Sequence, residues 1–399
     1  MKCRRILTCS IALVCVLSCE NYEPGNHVRR NQTVKDTSGV IQTVVEEEIE
    51  KTPHLYVSGV RYADGYDWRR DADYGRCECT LFLLKDGNLE VELPAGEEYM
   101  LSSDEDMHYV SLGHLYSDYP IGDETVFRQD GEEIYRSSGK EITRDVLSKG
   151  SSLYVLSEPR DSGIVFLRKD GNLVFSAPGS ITSDLYEDMG DVCFSYRASS
   201  GADFLVAEGR AAEIKKPSGY YSIPILFRSY RRIYALCKRD SKHSLHIDGS
   251  FEYSIEAKPY NSFRDHYSGV KKMWQKDGLS FLLTDVRQTD STSTSRIYRE
   301  GTLDMVYEGL TYFSLLPFSK TEFLFVGYDG REKTYVIDCK GERIALPSGV
   351  RPHSRRAVDL YDGIARVALD TPEGPEIWSS DGKTTKFSFN GYIDEIVTE

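Results

Sequence analysis

Lys85-Asp86-Gly87-Asn88, set between the leucines Leu83-Leu84 and Leu89, is the stretch that decides the fold. It is nearly repeated as Leu167-Arg168-Lys169-Asp170-Gly171-Asn172-Leu173. Glycine readily adopts the positive φ that a two-residue hairpin turn requires, so each copy predicts two antiparallel strands joined by a tight turn. The chain is therefore expected to be organised around a repeated β-hairpin.

The same turn signal recurs along the chain at steps of 38 to 52 residues. A short strand-like run precedes each turn, as in Leu55-Tyr56-Val57-Ser58 and His108-Tyr109-Val110-Ser111, and a weaker run precedes most of those. Four strands in about 41 residues is typical of one blade of a β-propeller. The eight turn glycines are Gly87, Gly131, Gly171, Gly209, Gly249, Gly301, Gly341 and Gly382.

These repeats predict an all-β protein, a β-propeller of four-stranded antiparallel blades. Eight turns indicate eight blades, and seven is the alternative if one turn is miscounted. The first unit lacks an innermost strand, and the apolar run 392–397 is left over at the C-terminus. We expect this C-terminal run to supply the missing strand and to close the ring, which would leave no open edge between blades. Two β-sandwiches or a β-helix agree less well with the spacing.

The N-terminus reads as an export signal. Lys2, Arg4 and Arg5 precede the apolar run 6–17, which is shorter than the about 20 residues that span a bilayer. Val16-Leu17-Ser18-Cys19 resembles the lipobox of bacterial lipoproteins, which implies cleavage before Cys19 and lipid attachment at that cysteine. The predicted organisation is a signal peptide at 1–18, a lipidated and flexible tether at 19–50, and the propeller at 51–399.

The repeat resembles that of Bacteroidetes-type lipoproteins with a β-propeller ectodomain, in which a Tyr-Val strand alternates with a Lys-Asp-Gly hairpin. The resemblance covers about residues 54–399 and implies a fold and a location, but no reaction. Glu20 and Glu23 follow Cys19 and resemble the surface-export signal of such lipoproteins. The expected location is therefore the bacterial outer membrane, with the cell surface as the face that the acidic residues favour.

The charge of the chain restricts its partners. The net charge is −14, and loss of the three positive charges of residues 1–18 leaves −17. Such an acidic surface argues against nucleic acid, whose binders need a basic patch, and against direct binding to anionic lipid. Membrane contact is expected through the lipid anchor alone.

No cofactor or metal site is predicted. Five cysteines follow Cys19, an odd number without a disulfide pattern, and Cys77 and Cys79 lack a second pair that would complete a zinc site. Asp71-Ala72-Asp73 lacks the later ligands of a calcium loop. No catalytic residue is assigned, because paired acids are common in an acidic chain and no nucleophile motif is present.

Function is expected in the longest connections between strands, which fall on one face of the disc. With strands a to d numbered outward from the axis, that face carries the b–c and d–a connections: 61–78, 114–122, 257–272 and 287–293. Tyr, Trp and Arg suit a sugar or a protein partner. The predicted ligand-face residues are Trp68, Arg69, Arg70, Tyr116, Tyr119, Tyr260, Arg264 and His266.

The leading hypothesis is a non-catalytic binding module for a glycan or a protein. The alternative is a polysaccharide hydrolase or lyase on a propeller scaffold, in which loop acids or histidines such as His114 and His266 would converge on the axis. A third is a scaffold for envelope assembly.

Overall fold

The computed structural model describes residues 32–35, 41–44, 53–63, 66, 79–94, 108–121, 123–137, 139–159, 162–240, 242–256, 269–276, 278–287 and 293–399. The chain divides into two compact units, residues 1–53 and 54–399. In the first unit, β1 (Gln32–Lys35) and β2 (Ile41–Val44) pair as an antiparallel hairpin. Among the described residues, no helix is long and apolar enough to cross a membrane.

The second unit is all β. Its described residues form 32 further strands, which in chain order are β3 (Leu55–Tyr62), β4 (Cys79–Lys85), β5 (Asn88–Pro94), β6 (His108–Ser111), β7 (His114–Ile121), β8 (Glu124–Gln129), β9 (Glu132–Arg136), β10 (Glu141–Lys149), β11 (Ser152–Pro159), β12 (Ile164–Lys169), β13 (Asn172–Ile181), β14 (Tyr186–Asp188), β15 (Asp191–Ala198), β16 (Asp203–Ala207), β17 (Arg210–Ile214), β18 (Ser222–Ser229), β19 (Arg232–Arg239), β20 (Lys242–Ile247), β21 (Ser250–Glu256), β22 (Gly269–Lys276), β23 (Leu279–Arg287), β24 (Ser293–Arg299), β25 (Thr302–Tyr307), β26 (Leu310–Pro317), β27 (Phe323–Asp329), β28 (Thr334–Cys339), β29 (Glu342–Ala345), β30 (Val358–Tyr361), β31 (Ile364–Thr371), β32 (Gly374–Ser379), β33 (Thr384–Lys386) and β34 (Gly391–Thr398).

These strands form eight antiparallel four-stranded blades, as the repeat predicted. Blade 1 has the order β34-β3-β4-β5, and blades 2, 3 and 5 to 8 each contain four consecutive strands, from β6, β10, β18, β22, β26 and β30 onward. Blade 4 contains β14 to β17. Blades 3 and 4 are joined, because β13 pairs with β12 and its last residues, Gly179–Ile181, also pair with β15. The protein is an eight-bladed β-propeller.

A tight turn joins the third and fourth strands of each blade, where the sequence predicted it. In seven of the eight turns the residue before the glycine also has positive φ, as with Asp86 at 51° and Gly87 at 83°. Two consecutive residues with positive φ define a type I′ turn, which matches the right-handed twist of the paired strands. The exception is Asp381-Gly382, where only the glycine is left-handed.

The apolar core is divided among the blade interfaces. Eight clusters of buried side chains each draw residues from two neighbouring blades. The cluster between the last and first blades brings Ala368 and Ile377 of blade 8 against Val57 and Phe82 of blade 1. Blade packing therefore supplies the hydrophobic burial that no single sheet provides.

The C-terminal strand belongs to the first blade, as predicted. β34 pairs with β3 from Leu55↔Thr398 to Arg61↔Gly391 and is the innermost strand of blade 1. The pairing is close at Gly391, where a Cβ atom would overlap the carbonyl oxygen of Val60. Blade 1 is thus assembled from the two ends of the propeller unit.

One strand assignment was wrong. Residues 114–121, predicted as a long connection, form β7, the second strand of blade 2, and His108–Ser111 is the innermost strand rather than the second. The strand could not be recognised from its polar residues, because the groups that bind and bury them are distant in the sequence. Leu115 and Tyr116 are buried, and the carboxylate of buried Asp118 accepts a hydrogen bond from the Thr143 N–H of blade 3.

Candidate functional site

In several blades the pairing between the innermost and the second strand is interrupted, and the interruptions lie at the same level along the propeller axis. In blades 1, 3, 6 and 7 a single extra residue stands opposite the second strand: Asp394, Arg144, Lys271 and Phe313. In blade 5 the pairing breaks around Ile223-Pro224. Such bulges turn side chains away from the regular alternation of a strand and are frequent beside functional sites.

Blades 4 and 8 carry a longer interruption at the same place. In blade 4, residues 182–185 separate the end of β13 from β14. In blade 8, residues 352–356 separate the bridge Arg351↔Asp370 from the pairing of Ala357 with Ala368. We refer to eight charged residues at and directly after the interruptions as the axial site, leaving out Arg144 because it pairs with Glu158: Asp145, Asp184, Lys271, Lys272, Arg355, Arg356, Asp394 and Glu395.

The height of these interruptions is set by the hairpin turns. The turn acid of a blade hydrogen-bonds the N–H of one second-strand residue, such as Leu55 in blade 1, Leu153 in blade 3 and Ser280 in blade 6. The pairing then breaks three residues later, at Ser58, Leu156 and Leu283. The interrupted strands are innermost, so their charged side chains lie near the central axis.

Arg356 is the centre of this site. Its guanidinium donates to Asp394 Oδ2 at 2.5 Å in blade 1 and to the His108 carbonyl at 2.9 Å in blade 2. It also lies 5.0 Å from the centre of the Tyr109 ring and 3.5 Å from Glu395. One side chain from the connection into blade 8 therefore ties together the innermost strands of the next two blades.

The Asp394 carboxylate remains ionised because of these neighbours. Burial would raise its pKa, but the charge of Arg356, with smaller contributions from His108 and His353, holds the pKa below the ordinary value. His108 is fully buried, and loss of hydration lowers its pKa to about 4, against the opposing attraction of Asp394. His108 is thus neutral at pH 7 and enclosed by protein.

Asp145 and Asp184 face one another across blades 3 and 4. Asp145 accepts hydrogen bonds from the N–H of Leu185, at 2.6 Å, and of Val146, at 2.8 Å. Burial and then the charge of Asp184 raise the pKa of Asp145 to about 7. Asp184 is open to solvent, yet the surrounding protein removes enough water to raise its pKa as well, against the charges of Arg356 and Lys272.

Lys272 brings a cation from blade 6 toward these carboxylates. Its ammonium donates to the Leu315 carbonyl of blade 7 at 2.8 Å. Burial lowers the pKa of Lys272, and the charge of Asp184 opposes that change. The site is therefore polarised, with carboxylates on blades 1, 3 and 4 and cations on blades 6 and 8. It can hold a polar or charged ligand by fixed charges.

Most of the sequence-predicted ligand residues lie outside the described residues. Trp68, Arg69 and Arg70 fall between β3 and β4, and Tyr260, Arg264 and His266 fall between β21 and β22. Cys19, in the N-terminal unit, also lies outside the described residues. β3 ends, and β22 begins, on the face of the b–c and d–a connections. The interruptions lie only three or four residues from the start of the innermost strands, on the side of that same face.

Two predicted positions lie in β7 rather than in a loop. Tyr116 is 3% exposed, stacks on Phe127 with ring centres 6.0 Å apart, and belongs to the core between blades 2 and 3. Its predicted position in an exposed loop was therefore wrong. Tyr119 lies in the same strand, and its backbone pairs with Val126 of β8.

His114 also lies elsewhere than predicted. It begins β7 and its Nδ1 is 2.6 Å from Asp130 in the tight turn, which places it on the opposite face of the disc. Cys79 is buried in β4. In the part of the chain that the structure describes, no three metal-binding side chains are grouped together.

Sequence reasoning missed the axial site. The signal in the sequence that could have revealed it is four pairs of adjacent charged residues, each inside an innermost strand or just before one: Arg144-Asp145, Lys271-Lys272, Arg355-Arg356 and Asp394-Glu395. Strict alternation would place one of each pair in an apolar blade interface, which is unfavourable. Such a pair therefore indicates that the regular pairing is broken.

A separate cavity of about 290 Å³ lies between blades 7 and 8. It is lined by Lys340 and Asp381 of two tight turns and by Trp378. The tight turns belong to the face opposite the long connections, so this cavity is distinct from the axial site.

No protein-family model matches this sequence, and a search of the curated proteins finds no relative. Among solved structures, the chain is similar to the dihydro-heme d1 dehydrogenase NirN in complex with DHE, with a TM-score of 0.55 and 11% identity over 96% of this chain and 84% of that one. It is also similar to BamB from Moraxella catarrhalis, with a TM-score of 0.46 and 10% identity over 78% of this chain and 94% of that one. At these identities the likeness shows the fold alone.

Proposed function

We propose that this chain is a lipid-anchored protein of the bacterial outer membrane whose propeller binds a glycan or a protein partner without catalysing a reaction. The observation that carries the proposal is the axial site, where interruptions in separate blades bring four carboxylates and four cations to one height. The apolar cores between the blades hold the fold together without such a concentration of charge near the axis. Binding of a ligand would explain why the charge is there.

The geometry supports binding because several of these groups are already held in place. Arg356 is fixed by Asp394 and a carbonyl, Asp145 by two amides, and Lys272 by a carbonyl. A ligand that enters such a site loses little free energy to ordering of the protein. His108 is neutral and enclosed, which makes it a poor general base at neutral pH.

The proposed anchor is Cys19, on the strength of the signal-like segment before it and the lipobox resemblance. Expression of Cys19→Ala should abolish membrane association and remove the lipid mass from the N-terminus. Cys15→Ala, in the same apolar run, is the matched control and should leave both unchanged. Equal membrane association of Cys19→Ala and the unaltered chain would refute the anchor.

Binding is tested by thermal shift of the purified full chain against a panel of polysaccharides, followed by affinity capture of envelope proteins. A ligand at about 100 times its Kd should stabilise the protein by about 2.7 kcal/mol. Asp184→Asn should weaken the response, while Glu187→Gln, an exposed change three residues away, should not. Trp68→Ala tests the contribution to binding of a ligand-face residue that was predicted from the sequence.

Two results would contradict this function. One is a ligand whose binding is unaffected by every axial substitution. The other is the release of product from a bound glycan.

A second function deserves a test because of Asp145 and Asp184. A glycoside hydrolase uses two carboxyl groups, of which one titrates near neutrality and transfers the proton, and Asp145 has such a raised pKa with Asp184 beside it. Incubation of the chain with each polysaccharide and chromatography of the products decides between the two. Product formed by the unaltered chain and lost in Asp145→Asn would establish the enzyme.

A further inference from the structure

Two cations of the axial site differ from the others in being open to solvent. Lys271 stands at the interruption of blade 6 and Arg355 at that of blade 8, and both are exposed. Within the described residues neither of them makes an ion pair. By contrast, Arg356 is paired with Asp394 and Lys272 is bound to a carbonyl.

Lys271 and Arg355 both lie near the carboxylate of Asp285, because the charge of each acts to lower its pKa. The Arg355 guanidinium lies 5.5 Å from the centre of the Tyr312 ring of blade 7. The Tyr312 N–H donates to Asp285 Oδ1 of blade 6 at 3.3 Å, and that carboxylate also accepts from the Ser295 hydroxyl. The aromatic ring and the buried carboxylate therefore connect the strand that carries Lys271 with the connection that carries Arg355.

Asp285 does not neutralise the two cations. It is 4% exposed, and burial raises its pKa, while the hydrogen bonds and the charges of Lys271 and Arg355 act in the opposite direction. The single carboxylate of Asp285, which already accepts two hydrogen bonds, can offset at most one of the two exposed positive charges. A local positive charge therefore remains in a protein whose net charge is −14. A positive site of this kind attracts anions, even on a protein whose net charge is negative.

We propose that Lys271 and Arg355 form a subsite for the carboxylate group of an acidic saccharide, with Tyr312 as a positioning residue that orients the guanidinium. The inference rests on the proposed binding function and narrows its ligand class. Arginine matches a carboxylate with two parallel hydrogen bonds, and lysine adds a mobile second cation. The ring of Tyr312 limits the conformations of Arg355 by a cation–π contact.

Calorimetric titration of the purified full chain with short acidic saccharides tests this subsite. The probes are a galacturonate trisaccharide and a glucuronate-containing hyaluronan tetrasaccharide, compared with a neutral galactose trisaccharide. We expect at least one acidic probe to bind and the neutral one to bind at least tenfold more weakly. Lys271→Gln and Arg355→Gln should each weaken the acidic probe by tenfold or more, and added salt should weaken it further.

The controls separate a specific subsite from general charge and from loss of fold. Lys320→Gln removes a lysine from the exposed a–b turn of blade 7, on the opposite face, and should leave binding unchanged. Tyr312→Phe retains the ring and should bind as the unaltered chain does, whereas Tyr312→Leu should lose affinity. Circular dichroism and Tm confirm that each variant is folded.

Each failure has a different meaning. A neutral saccharide that binds as tightly as the acidic ones, unaffected by Lys271→Gln and Arg355→Gln, overturns the subsite and leaves the binding module standing. Equal loss in Lys320→Gln shows non-specific attraction and also overturns the subsite. No binding of either acidic probe overturns it as well, and the polysaccharide and capture tests then decide the broader function.

Discussion

Asp170 Oδ1 accepts a hydrogen bond from the backbone N–H of Leu153 at 2.8 Å, and the Asp170 N–H donates back to the Leu153 carbonyl at the same distance. The pair joins the tight turn of blade 3 to the start of its second strand. Equivalent pairs join Asp86 to Leu55, Asp130 to Leu115, Glu208 to Val192 and Asp248 to Ile233. The repeated acid-glycine signal is therefore structural, because it fixes the register of each blade.

Loss of this contact should cost stability in a single blade. Asp170→Ala should lower the free energy of unfolding by about 1–2 kcal/mol, because it removes the hydrogen bond and places alanine at positive φ. Asp170→Asn is the matched control, since asparagine accepts the same bond and tolerates the left-handed conformation. Urea denaturation measures both. Equal losses in the two variants would show that the hydrogen bond contributes nothing.

Gly391 should tolerate no side chain. A Cβ there would overlap the Val60 carbonyl oxygen, so Gly391→Ala must displace β34 from β3. We expect a loss on the order of 3 kcal/mol in the free energy of unfolding, as for other overpacked sites. Gly139→Ala, which meets no atom within 4 Å, should change stability little. A Tm of Gly391→Ala equal to that of Gly139→Ala would contradict the close pairing.

Removal of Arg356 should leave Asp394 as a buried charge without its main partner. Arg356→Met is expected to cost about 3 kcal/mol, because breaking one side of a buried pair exposes the desolvation penalty of the other. Arg356→Met combined with Asp394→Asn should recover part of the loss. A double-mutant cycle by chemical denaturation measures the coupling, and strictly additive effects would argue against the contact.

Asp145 should make the stability fall as pH rises. Its pKa is raised to about 7 in the folded protein, above the 3.8 of an ordinary aspartate, so the folded state holds a proton that the unfolded state has lost between these pH values. The stabilising contribution is complete below about pH 4 and is lost as pH rises through about 7. Asp145→Asn should flatten the Tm profile over this range, and Glu187→Gln should not. Parallel profiles for all three proteins would refute the raised pKa.

Much of the fold could be predicted because its signals are local. A type I′ turn requires positive φ at two consecutive residues, and the pairs Asp86-Gly87 and Asp248-Gly249 show this in the sequence itself. Even the pairing of β34 with β3 could be predicted, because an unassigned apolar run remained at the C-terminus and blade 1 lacked a strand.

The axial site could not be predicted in the same way. Whether Asp394 or Lys271 is an extra residue depends on the register of a strand with its neighbour, which the order of residues does not reveal. The contact of Arg356 with the His108 carbonyl joins residues 248 positions apart. β7 was missed for a related reason, since the partner of Asp118 lies in the next blade.

The interruptions have a consequence for how such a ring can change over generations. A residue that stands outside the ladder of pairs, as Arg144, Lys271, Phe313 and Asp394 do, has no partner residue on the neighbouring strand to match. Mutation of Arg144 or Lys271, which are exposed, can therefore alter the charge on the axis while every blade keeps its register and its interface, whereas Asp394 is tied to Arg356 and Phe313 packs on Tyr335. At these two positions the charge near the axis can change independently of the fold, so a duplicated copy of this gene could acquire a different axial charge without first losing its stability.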